Sequence, residues 1–257
     1  MKHGIITTSI VAVRDEPSEK SEMLTQVQFG ELFEIVDTRK NWYLIKTDFD
    51  NYTGWIDVKA GKILDEDDYY VLSMQEPVIT TKLITEIYSE DKNYPIRLLP
   101  GSEIRNLEDN SFVMGNEKFI IKEKLPKQLT MKHELIKLSL LYLNSPYLWG
   151  GKSPFGIDCS GLTQILYKTI GINLPRDARE QVKHGITLNF INETKPGDLA
   201  FFDNEEGEII HVGLIIEKGK IIHASGQVKI NTLDHQGIYN EEEKKYTHKL
   251  RVIQRIV

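Results

Sequence analysis

Along the first sixty residues the apolar positions come in short runs broken by turn residues: SIVAVRDEP, GELFEIVDT, NWYLIKT and YTGWIDV. Runs this short and this regularly punctuated predict the strands of a small all-β barrel. From residue 70 to 122 the style continues with weaker punctuation, in PVITTKLITEIYS, IRLLPGSEIRNL and SFVMGNEKFIIK, which predicts a second small β-domain. KEKLPKQLT then carries charge and Pro126 but no apolar periodicity, and reads as a linker.

After Leu129 the period changes. In MKHELIKLSLLYLN, Leu135, Leu138 and Leu141 or Tyr142 fall at helical spacing, and Pro146 bounds the run. Asp158 and Ser160 supply helix-starting chemistry around Cys159, with Leu162, Ile165, Leu166 and Thr169 forming one apolar face until Gly171. A short helix is expected at RDAREQVKHG with Asp177 as its cap. The remainder alternates as strands: GDLAFF, IIHVGLII, KIIHAS and HKLRVIQRIV. Helices first and an antiparallel sheet second make the fold class α+β, preceded by one or two small all-β domains. The expected boundaries are 1–62, 63–124 and 125–257.

Composition narrows the function. A chain of 257 residues, 40% hydrophobic, has enough apolar content for two or three cored domains. The net charge of −6, with acidic and basic residues interleaved, leaves no positive stripe for a phosphate backbone, so no nucleic-acid partner is expected. No stretch is long enough to span a bilayer. The start, MKHGIITTSIVAVRDEP, lacks a secretion-signal pattern, and a cytoplasmic location is the expectation. One cysteine excludes an internal disulfide and metal motifs of the C-x-x-C type.

Two readings of that cysteine compete. A lone cysteine near an apolar helix is commonly a small buried hydrophobe. At the first turn of a helix, however, the unpaired N–H groups favour negative charge and suit a nucleophile. The glycines of WGGKSPFGIDCSG and the polar neighbours Asp158 and Ser160 favour the second reading. So does the supply of histidine, because His211 and His223 stand in adjacent strand-like runs joined by EKG. A three-residue turn over Glu217, Lys218 and Gly219 would pair Ile216 with Lys220 and set His223 opposite Gly213. The two imidazoles then share a face, whereas a two-residue turn at Lys218-Gly219 would separate them. Sharing a face, they form a Cys–His–His set in which His211 takes the thiol proton and His223 orients it. As metal ligands the same histidines lack a third partner at telling spacing, so neither a metal nor another cofactor is expected. His3, His133, His184, His235 and His248 lie in polar or linker-like segments and read as surface residues.

At YLWGGKSPFGIDCSGLTQILYKTIGINLPRDAREQ the chain resembles the NlpC/P60 papain-like cysteine peptidases that cut bacterial cell-wall peptides. The resemblance runs from about residue 130 to the C-terminus. It includes Leu174-Pro175-Arg176, the turn Lys195-Pro196-Gly197-Asp198-Leu199, and His211-Val212-Gly213 followed by His223. The N-terminal VRDEPSEKSEMLTQVQFGE, with NWYLIKT and YTGWI, is similar to a bacterial SH3-type domain, and residues 63–124 could be a diverged second copy. Together they resemble γ-D-glutamyl-L-diamino acid endopeptidases. That resemblance implies Cys159 as nucleophile, His211 as base, His223 as third polar residue, and Tyr147 and Ser160 beside the substrate. It further implies that Asp158, with Glu22 and Tyr52 of the first domain, reads the free amine of a peptide such as L-Ala-γ-D-Glu-meso-diaminopimelate or its L-Lys equivalent. The implied role is turnover of released wall peptides. An acyltransferase using the same Cys–His–His site, or an inactive wall-binding protein, are the alternatives.

Overall fold

A computed structural model describes residues 2–90, 94–115, 117–123, 125 and 132–256, without the side chains of Lys132 and His133. Most of the expected linker KEKLPKQLT, the boundary near residue 124 and the side chain of His133 lie outside the described residues. The chain forms two compact units, Met1–Gln128 and Leu129–Val257.

The first unit opens with β1 (Lys2–Ile6), β2 (Ile10–Arg14), β3 (Met23–Gln28), β4 (Leu32–Arg39), β5 (Trp42–Thr47), β6 (Thr53–Asp57) and β7 (Gly61–Leu64), in the order β3-β2-β6-β5-β4-β1-β7. Inward residues Ile6, Val13, Val27, Phe33, Ile45 and Ile56 make its core. Next comes α1 (Glu66–Ser73), which the strand-only reading of this region missed. Its signal is local: Asp65 accepts the N–H of Asp68 as N-cap, and Glu66, Asp67 and Asp68 fill the positive first turn.

β8 (Val78–Ile79), β9 (Thr85–Ser89), β10 (Pro95–Leu98), β11 (Glu103–Ile104), β12 (Ser111–Met114) and β13 (Glu117–Ile121) then form a sheet ordered β10-β9-β13-β12 and a separate β11-β8 pair. These strands do not have a core of their own. Phe112 and Phe119 stack with centroids 5.1 Å apart, and Phe29, from the edge of the first barrel, sets its ring edge against both. Ile5, Leu32 and Leu64 join the same cluster. Arg105, in a buried ion pair with Glu103, also donates to the carbonyl of Gly30.

The second unit begins with α2 (Lys132–Leu140), which ends earlier than the apolar run suggested; Leu135, Leu138 and Tyr142 are its buried contacts, while Leu141 faces out. A minimal hairpin, β14 (Lys152–Ser153) with β15 (Gly156–Ile157), leads into α3 (Cys159–Lys168). α3 is buried along its whole length. α4 (Ala178–Gln181) follows, with Asp177 at the N-cap position. The remaining strands are β16 (Ile186–Leu188), β17 (Leu199–Asp203), β18 (Ile209–Glu217), β19 (Lys220–Ser225), β20 (Gln227–Leu233), β21 (Gly237–Asn240) and β22 (Lys245–Arg255). They run β16-β22-β17-β18-β19-β20-β21, and β21 pairs again with β22, so six antiparallel strands close into a barrel. One face of the sheet carries Leu199, Phe201, Val212, Leu214 and Ile222 against α2 and α3. The other lines the barrel with Ala200, Phe202, Ile215, Ile221 and Leu233.

Candidate active site

Cys159 is the first residue of α3, and the way that helix starts fixes it. Asp158 is the N-cap: Oδ1 accepts the N–H of Gly161 at 2.7 Å. Its Oδ2 accepts the N–H of Gly150 at 2.8 Å, which ties the Trp149-Gly150-Gly151 loop to the helix start. Arg176 grips both oxygens, at 3.0 and 2.5 Å, and reaches Ser160 Oγ at 2.8 Å. These donors fill the lone-pair positions of the carboxylate, and Asp158 is 4% exposed. Gln181 adds a brace from α4, donating to the carbonyl of Ser160 and accepting from Thr163.

The stabilisation of a thiolate expected from the helix start is outweighed by burial. Burial pushes the Cys159 thiol up to about 12, and the neighbouring Asp158 carboxylate adds to it. Backbone N–H groups of Val212 and Ser160, together with Arg176, pull in the other direction without winning. Tyr147 stands close enough for its phenol to be raised by the charges of Cys159 and Asp158, after burial, and its N–H donates to the carbonyl of Gly226.

β18 and β19 bring the two histidines together by a route that the turn chemistry did not suggest. The turn is the two-residue Lys218-Gly219, with Glu217 opposite Lys220 and Gly219 at φ +74°. Taken alone it would split the imidazoles. Ile216 is an extra residue bulged out of β18, however, so Ile215 pairs with Ile221 and Leu214 with Ile222. His223 therefore falls opposite Gly213 after all, where a Cβ would meet His223 Cβ at 3.0 Å and Ile221 at 2.7 Å. His211 Nε2 lies 2.9 Å from His223 Nδ1.

A residue that sequence reasoning missed sets the tautomers. His223 Nε2 is 2.9 Å from Asn231 Oδ1 on β20. A carbonyl oxygen only accepts, so His223 carries its proton on Nε2, and its Nδ1 must accept from His211 Nε2–H. His211 is left with an unprotonated Nδ1, the tautomer of a general base. Burial holds His211 well below its ordinary range and His223 at about 4, so both rings are neutral. The signal for Asn231 was countable: Gly226 turns the chain, His223 pairs with Lys229, and Asn231 is diagonal to it on the same face.

His248, read from sequence as a surface residue, is half-buried and stacks on His211 with centroids 4.2 Å apart and planes at 26°. His3 is also half-buried, against Tyr69. His184 and His235 are exposed as expected. Among the described residues, no three His, Cys, Asp or Glu side chains group as metal ligands. Ser160 sits with Cys159 but spends its hydroxyl on Arg176 and its carbonyl on Gln181. Glu22 and Tyr52 belong to the first unit: Glu22 is exposed just before β3, and half-buried Tyr52 donates its N–H to Thr47 Oγ1.

Residues 144–250 match the NlpC/P60 family, and residues 13–60 match the bacterial dipeptidyl-peptidase SH3 domain. The chain carries an NlpC/P60 domain in its second unit. It is 29% identical to a γ-D-glutamyl-L-lysine dipeptidyl-peptidase of Bacillus subtilis over 85% of this chain and 78% of that one. With dipeptidyl-peptidase 6 of Lysinibacillus sphaericus it shares 27% identity, over 91% and 93%. A crystal structure of an NlpC/P60 family protein from Bacillus cereus has the same fold, with a TM-score of 0.84 at 19% identity and 99% of both chains covered. The catalytic fold and the SH3-like N-terminal barrel expected from sequence are both present.

Proposed function

We propose that this protein is an endopeptidase that hydrolyses the bond between γ-D-Glu and the diamino acid of short peptidoglycan peptides whose N-terminal L-Ala is free. The observation that carries the chemistry is the hydrogen-bonded line His211–His223–Asn231, which leaves His211 Nδ1 as a base in a chain with one cysteine. Likeness to dipeptidyl-peptidases over most of both chains supports the substrate class.

As substrate fills the site, the Cys159 thiol gives its proton to His211 Nδ1 and sulfur bonds the γ-carbonyl carbon. The oxyanion takes N–H donors at the start of α3, each worth roughly 3 kcal/mol in comparable sites. Collapse breaks the C–N bond, and His211 returns the proton to the departing amine. Water, deprotonated by His211, then opens the γ-glutamyl thioester and restores the thiol. His223 stays neutral and holds the base in its tautomer.

The carboxylate of Asp158 is committed to Arg176 and to the helix cap, so in this proposal other groups read the free amine. Such selectivity suits turnover of released fragments. The test is mass spectrometry of L-Ala-γ-D-Glu-L-Lys and L-Ala-γ-D-Glu-meso-diaminopimelate beside their N-acetylated forms, with Cys159→Ala as control. Release of L-Ala-D-Glu from the free peptides alone is expected; equal cleavage of the acetylated peptides refutes the amine requirement.

A further inference from the structure

β20 brings a lysine beside the histidine line. Lys229 pairs directly with His223 across β19 and β20, which places the two side chains on one face at neighbouring positions. It is half-buried. Its charge is felt by His211, His223 and His248, all three of which it pushes toward the neutral form. Among the described residues its ammonium makes no hydrogen bond or salt bridge, and Glu243, the carboxylate that feels its charge, is held by Lys245 and Asn240. Lys220, on the same sheet, is by contrast engaged by Thr232 and Glu241. A half-buried cation beside neutral imidazoles, whose neighbouring carboxylate is already engaged by another lysine, is a place for an anion.

The reaction says which part of the substrate lies there. His211 must hand its proton to the departing nitrogen, so the leaving amino acid lies on the histidine side of the sulfur. The cavity beside Asn231 has a volume of about 600 Å³ and is lined by Lys220, Lys229 and Asn231 together with Glu241 and Glu242. It thus offers a cation and, across the opening, carboxylates. A terminal diamino acid carries the complementary charges: an α-carboxylate next to the scissile nitrogen and a second amine at the end of its side chain.

We propose that Lys229 binds the α-carboxylate of the leaving diamino acid and makes the enzyme prefer peptides in which that residue is C-terminal. The inference rests on the γ-D-Glu–diamino acid specificity proposed above. The D-Glu residue also carries an α-carboxylate, so the test separates the two sources.

Wild type, Lys229→Gln and Lys229→Arg are assayed on three peptides: L-Ala-γ-D-Glu-L-Lys, its C-terminal carboxamide, and the D-isoglutaminyl analogue with a free C-terminus. Wild type is expected to favour the free acid over the carboxamide about tenfold in kcat/KM, the scale of one charge-assisted hydrogen bond. Lys229→Gln abolishes that preference through a higher KM for the acid and leaves the carboxamide unchanged; Lys229→Arg retains it. An unaltered rate of Cys159 alkylation in both variants certifies an intact site. A preference that survives in Lys229→Gln overturns the inference, as does a loss confined to the comparison with the D-isoglutaminyl peptide, which moves the contact to the acyl side. If wild type cleaves none of the three, the substrate class itself falls and the inference falls with it, before Lys229 is touched.

Discussion

Arg176 offers the sharpest test of how the helix start is held. Its guanidinium is 2% exposed and its partner Asp158 4% exposed. Arg176→Met removes the counter-charge and leaves a buried carboxylate with the N–H groups of Gly150 and Gly161 and a long contact from Ser160 Oγ. Breaking a buried pair from one side costs about 3–5 kcal/mol, most of it from the stranded charge. In Asp158→Asn/Arg176→Met that charge is gone, while the Asn oxygen can still cap Gly161, so the double variant should lose only about 1–2 kcal/mol, the scale of a weakened cap and lost hydrogen bonds. The two changes therefore couple, with the pair costing less than Arg176→Met alone. Urea unfolding followed by circular dichroism resolves this, with each variant read as a shift in midpoint. A loss under about 1 kcal/mol for Arg176→Met, or a double variant no more stable than the single, would refute the argument that an uncompensated charge dominates.

Three further outcomes follow from the histidines. Asn231→Ala frees His223 to adopt either tautomer and should lower kcat about 10–100-fold with KM little changed, as losses of outer supporting partners do; an unchanged kcat removes Asn231 from the relay. His248→Phe should keep near wild-type kcat while His248→Ala lowers it, since a flat ring over His211 is what the 4.2 Å stack provides; equal loss in both would mean that the imidazole nitrogens matter instead. His223 stays neutral in the folded chain down to about pH 4 but takes a proton near pH 6.5 when unfolded, so stability is full above 6.5 and falls as the pH drops toward 4. The slope for this one group is about 1.4 kcal/mol per pH unit. Urea midpoints that do not move between pH 7 and pH 4.5 would exclude it.

The catalytic unit was more legible in the sequence than the first. Asp158 and the apolar face from Leu162 to Leu166 specify α3 locally, because capping and helical spacing act within a few residues. The shared face of His211 and His223 was also legible, though the stated turn was not: the bulge at Ile216 offsets the two-residue loop, and a bulge leaves little trace in a pattern of consecutive isoleucines. Strand β20 was missed because QVKINTL mixes polar residues into a strand with one side facing the histidines, and Lys229 and Asn231 went with it. His248 looked superficial beside Lys245, Lys249 and Arg251 because only the long-range pairing of β22 with β17, itself paired with β18, brings it against His211. In the first unit, weak punctuation after residue 70 reflects strands that bury one face on a neighbouring domain.

The ring of Phe29 has a consequence for anyone dissecting this chain. Because Phe112 and Phe119 close over a residue that belongs, by sequence, to the first barrel, residues 1–62 are not a portable module. Cutting after Leu64 would open an apolar socket and a polar seam at Gly30 and Arg105 at once. Such a fragment would be expected to aggregate, or to capture its missing half when residues 65–128 are supplied in trans, and such complementation would itself measure how much of the seam is shared. The smallest transplantable N-terminal piece is the whole first unit, and a swap between relatives would need its crossover beyond residue 123.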